Sequence, residues 1–113
     1  MFYSTKRRGL QMKFENGLIV SVKWGAGNDC HNSFPVDMDF SCDAEICVIY
    51  KSEFLDPKHF IDEEISSDGD VAGHLSTEQV AKIIYNASTM PVEVFLPWYK
   101  EARGSNIFNN TRE

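Results

Sequence analysis

The chain has 113 residues, 42% of them hydrophobic and 25% charged, and a formal net charge of −6. That length suits one domain spanning 1–113, and the balance of apolar and charged side chains excludes a disordered tail. No run of about 18 apolar residues occurs, so no membrane span is expected, and the basic start Met1–Arg8 lacks the apolar stretch that a secretory leader needs.

The first strong pattern is a hairpin over 10–24. Leu10, Met12 and Phe14 alternate with polar residues, as do Leu18, Val20, Val22 and Trp24. A two-residue Asn16-Gly17 turn would put the two apolar sets on opposite faces. A three-residue loop pairs Phe14 with Leu18, Met12 with Val20 and Leu10 with Val22, which gives one apolar face. The three-residue loop is therefore predicted, with Gly17 at positive φ.

Residues 25–43 read as loop, with turn clusters at Gly25-Ala26-Gly27-Asn28-Asp29 and Asn32-Ser33-Phe34-Pro35. Ala44–Tyr50 is apolar on both faces and reads as a central strand. Residues 51–70 form a second excursion, with Phe54, Leu55, Phe60, Ile61 and Ile65 as anchors to the core. The main helix is expected at 76–88, where Ser76 and Gln79 form a capping box and Val80, Ile83, Ile84 and Ala87 form one stripe. Pro91 stops it. Val92–Leu96 reads as a short extended segment, and residues 1–8 and 104–113 as flexible ends. The fold class is α+β: a small antiparallel sheet packed on one main helix.

Charge is unevenly spread. Residues 29–70 carry twelve acids against Lys51 and Lys58, a net of −10, while the remainder is net +4. Such polarity can steer a charged partner to the surface, or it can mark a solvated acidic loop beside a basic edge. Cys30, Cys42 and Cys47 are odd in number and lack framework spacing, which fits reduced thiols in a cytoplasmic setting.

Two groups of residues are candidates for binding. Trp24, Gly25, Gly27, Asn28, Asp29 and His31 lie at a strand end, where glycines allow close backbone approach and polar groups follow. The plain alternative is a glycine-rich turn. Asp62, Glu63, Glu64 and Asp68 are the second group, suited to a basic partner. Cys30-His31 adjacency is a poor nucleophile–base arrangement, because neighbours on an extended chain point apart. Cys30, His31, Cys42, Cys47, His59 and His74 lack the tight knuckle spacing of a zinc site. Asp37-Met38-Asp39 and Asp68-Gly69-Asp70 lack the calcium-loop pattern. No metal or cofactor is assigned, no catalytic residue is assigned, and the acidic balance argues against direct nucleic-acid binding.

The stretch Phe14–Cys30, with its Asn-Gly hairpin, Val20-Ser21-Val22 strand and Gly25-Ala26-Gly27-Asn28 turn, resembles a family of small bacteriophage and prophage proteins. Ala44-Glu45-Ile46 and Gly73–Val80 are similar to that family's later segments. Asp29 stands where the family has an aromatic. The resemblance implies a phage-type accessory protein of a bacterial cytoplasm, without an activity to carry over. The function expected first is non-enzymatic binding of a bacterial host protein, its defence machinery included. A nucleotide-like small-molecule binder using the 25–31 loop with Trp24 or Trp98 is the second reading, and a small metal-dependent enzyme the third.

Overall fold

Alternating apolar residues and one glycine at positive φ build the first hairpin of the computed structural model, which describes residues 2–4, 9–24 and 43–110. Strands β2 (Gly9–Lys13) and β3 (Ile19–Lys23) pair antiparallel, with Leu10 opposite Val22 and Met12 opposite Val20. The Phe14 N–H donates to the Leu18 carbonyl at 2.9 Å, so Glu15, Asn16 and Gly17 form the loop. Gly17 has φ 92°. This is the connection that one apolar face requires, and Leu18, Val20 and Val22 are all buried on that face. Gly17 is needed for a second reason: a Cβ there would lie 2.9 Å from a ring carbon of Tyr50.

The short strand β1 (Phe2–Ser4) lies outside β2. Strand β4 (Ala44–Tyr50) is the centre of the sheet. It runs beside β3 on one side, and its other side is divided. The C-terminal half pairs with β5 (Glu53–Leu55), and the N-terminal half pairs with β7 (Ala72–Leu75). Strand β6 (Ser66–Ser67) pairs outside β7, giving the order β1-β2-β3-β4-β7-β6, antiparallel throughout. Ala44, Ile46, Val48 and Tyr50 point into the core, while Glu45, Cys47 and Ile49 on the opposite face are half-buried. The β4–β5 turn is tight. Tyr50 pairs with Glu53, and Lys51 and Ser52 between them have φ 47° and 70°. Positive φ at both positions matches the twist of the strands but suits glycine or asparagine better than lysine and serine.

Helix α1 (Thr77–Thr89) starts at the expected capping box: the Gln79 N–H donates to Ser76 Oγ at 3.2 Å, and the Ser76 N–H donates to Gln79 Oε1 at 2.9 Å. Ile83 and Ala87 are buried, and Val80 and Ile84 flank them. Pro91 ends the helix in a specific way. It has no N–H, so it cannot satisfy the Ala87 carbonyl four residues back. Asn16 supplies the missing donor. Its Nδ2 donates to the Ala87 carbonyl at 2.7 Å and to the Met90 carbonyl at 2.9 Å, while its Oδ1 accepts from the Leu18 N–H at 3.0 Å.

Val92–Leu96 is helical, not extended. Helix α2 (Val92–Asn110) begins immediately after Pro91, so the sheet packs against two helices, and α2 carries the backbone of 104–110 with it. The reason is packing: Val92, Phe95, Leu96 and Tyr99 fall at i, i+3, i+4 and i+7, and Phe95 and Tyr99 enter the core. Tyr50 meets both rings edge-on, with centroids 4.9 Å from Phe95 and 5.0 Å from Tyr99. Pro97 lies within this helix on its exposed side.

Two changes in stability follow from these contacts. Asn16→Ala removes three hydrogen bonds and leaves the Ala87 carbonyl without its side-chain partner, so it should cost about 1–3 kcal/mol in urea denaturation. Ser52→Gly relieves left-handed strain and should raise stability by about 0.5–1 kcal/mol in the same assay.

Candidate interaction surface

The segment from β5 to β7 is held by its own side chains rather than lying free. Asp56 caps a short 3₁₀ turn, Pro57–Phe60, accepting from the Lys58 N–H at 3.1 Å. The same Oδ1 accepts from Ser67 Oγ at 2.7 Å, and Lys58 Nζ lies 3.5 Å from the other carboxylate oxygen. Burial pushes the Asp56 carboxyl upward, but the Ser67 hydroxyl, the Lys58 N–H and the nearby Lys58 charge outweigh it and hold the group below its ordinary value. Leu55, Phe60 and Ile61 anchor the segment in the core as expected, whereas Phe54 stays exposed. Asn86 of α1 closes the contact by donating to the Phe60 carbonyl at 2.7 Å.

The four acidic candidates divide into two kinds. Glu63 is tied to α1 through Lys82 Nζ and Gln79 Nε2, and these hydrogen bonds hold its carboxyl below the ordinary range. Asp68 is spent on its own turn, where its Oδ1 accepts from the Asp70 and Val71 N–H groups at 2.9 and 2.8 Å. Those backbone bonds lower its carboxyl too. Asp62 and Glu64 are exposed, and their carboxylates have no hydrogen-bond or ion-pair partner among the described residues. Asp70 and Glu101 share that condition. Glu101 lies outside the 29–70 acidic stretch, and only the turn of α2 brings it alongside.

Aromatic side chains border these charges. His59 stacks flat on Trp98, with centroids 4.3 Å apart and planes 8° from parallel, and Phe60 meets the same indole edge-on at 5.6 Å. Two open depressions flank this stack. One, of about 400 Å³, is lined by residues that include Phe54, Asp56, Lys58, Asp70, Trp98 and Glu101. The other, of about 430 Å³, is lined by Ile61, Asp62, Met90, Pro91 and Val94 together with His59. Val94 and Tyr85 add exposed apolar surface on the helices. The result is a face where unpaired carboxylates alternate with aromatic and aliphatic patches.

Of the first candidate group only Trp24 is among the described residues. Trp24 is half-buried and packs against the core. Gly25, Gly27, Asn28, Asp29 and His31 lie outside the described residues, as do Cys30 and Cys42. Cys47 faces the side of the sheet away from the helices, and burial raises its thiol pKa. His74 sits on a bulge between β4 and β7 with φ 55°, its Nδ1 3.3 Å from the buried carboxylate of Asp43. Among the described residues no three His, Cys, Asp or Glu side chains are grouped to hold a metal ion. No described helix is long and apolar enough to cross a membrane. No family model, curated protein or solved structure matches this chain.

The Asp56 hydrogen bonds imply a pH dependence of defined sign. Because the folded-state value is depressed, the stability it contributes is present above the ordinary carboxylate range and lost as pH falls through the lower folded value. Asp56→Asn should therefore lower the melting temperature at neutral pH and lose less of it than the unmodified protein between about pH 5 and 3, as followed by calorimetry.

Proposed function

We propose that this protein is a non-enzymatic binding protein whose 53–70 segment, together with the adjoining edge of α2, docks a basic surface on another protein. The observation that carries the reading is the set of solvent-facing carboxylates on Asp62, Glu64, Asp70 and Glu101, none of them hydrogen-bonded or ion-paired among the described residues. Unpaired charges of one sign beside exposed aromatic and aliphatic groups give a partner both electrostatic guidance and apolar area to bury. The similarity of Phe14–Cys30 to phage proteins makes a bacterial host protein the partner class to search first, and a phage-type accessory role in the host cytoplasm belongs to the same proposal.

Asp62→Asn with Glu64→Gln removes charge without removing a structural contact. Capture of basic proteins from bacterial lysate by the immobilised chain should fall about tenfold in that variant, and binding by the unmodified chain should weaken steeply as salt is raised above about 0.1 M. Capture unaffected by both changes would sink the reading.

A further inference from the structure

The depression lined by Trp98 and the carboxylates of Asp70 and Glu101 has the chemistry of an arginine site, an inference that rests on the acidic-face reading above and specifies its anchor. One wall is the His59–Trp98 stack, whose indole is fixed on a second side by the edge of Phe60. The exposed side of such a stack attracts a flat organic cation, and a guanidinium plane lies along it better than an ammonium does. The partly exposed Phe54 also lines the depression and can cover the aliphatic stem of an entering side chain.

Both Asp56 and Lys58 line the depression, and they are engaged with each other, Asp56 also with Ser67, so their opposite charges largely offset. Asp70, from the β6–β7 turn, and Glu101, from α2, line the same space and have no partner among the described residues. Two carboxylates from different elements can each accept from one edge of a forked guanidinium, whereas a point-like ammonium would satisfy fewer acceptors at once. A hard metal ion fits poorly, since it wants several converging oxygens and no aromatic wall, and no metal-holding group of three is present among the described residues. We propose that this depression receives an arginine side chain of the basic partner and is the position on the face that reads sequence, while Asp62 and Glu64 contribute charge alone.

Fluorescein-labelled lysine-glycine peptides with a single central arginine, lysine or citrulline test this by fluorescence anisotropy. The arginine peptide should bind the unmodified protein about fivefold more tightly than the lysine peptide and about tenfold more tightly than the uncharged citrulline peptide. Asp70→Asn with Glu101→Gln should abolish the arginine preference without shifting the melting temperature. Asp62→Asn with Glu64→Gln should weaken all three peptides and leave their ranking intact. Equal binding of the arginine and lysine peptides, or a preference that persists in the Asp70/Glu101 variant, overturns the arginine site while leaving the acidic-face reading in place. Failure of all three peptides to bind overturns both.

Discussion

The amide of Asn16 joins the two layers of this protein. Its carboxamide sits in the hairpin loop, yet both of its donated hydrogen bonds go to the C-terminal end of α1, more than seventy residues further along the chain. The bond to Ala87 answers a deficit that Pro91 creates by lacking an N–H. Gly17, the next residue, supplies the positive φ of the loop and leaves room for Tyr50, whose ring then meets Phe95 and Tyr99 of α2. One loop therefore ties the β2–β3 turn to the end of α1 and to the aromatic contacts of α2. The position of α2 in turn decides that Trp98 and Glu101 face the acidic segment.

Much of the architecture is written in local pattern. The hairpin register follows from which residues are apolar, because a one-residue slip would turn Leu10, Met12 and Phe14 away from Leu18, Val20 and Val22. The start of α1 follows from Ser76 and Gln79, a signal confined to four residues. Helix α2 was legible by the same rule, since Val92, Phe95, Leu96 and Tyr99 keep helical spacing. The β-branched residues at 92 and 94 and the prolines at 91 and 97 favour an extended reading of so short a window. Burial of Phe95 and Tyr99 against Tyr50 decides the matter, and no short window contains that information.

The candidate surface was legible only in part. The acid count of the 51–70 region marks it as a charged stretch, but cannot distinguish working carboxylates from structural ones. Glu63 is held by Lys82 and Gln79, and Asp68 by two backbone N–H groups, whereas their neighbours Asp62 and Glu64 remain available. That division depends on α1 passing beside residue 63 and on the turn geometry at 68. Glu101 and Trp98 belong to the same face through the direction of α2, far from the acidic stretch in sequence.

The divided edge of β4 has a consequence for how this protein can change. Strands β5 and β7 both dock on β4, so the chain between them leaves one strand and returns to it. The intervening residues form a closed detour whose two feet are fixed by backbone pairing and whose span is braced by Asp56, Ser67 and Asn86. Substitution at solvent-facing sites along the detour, such as 62 and 64, alters no strand pairing and no layer of the core. The scaffold can therefore diversify its outer chemistry, residue by residue, while the architecture beneath stays constant.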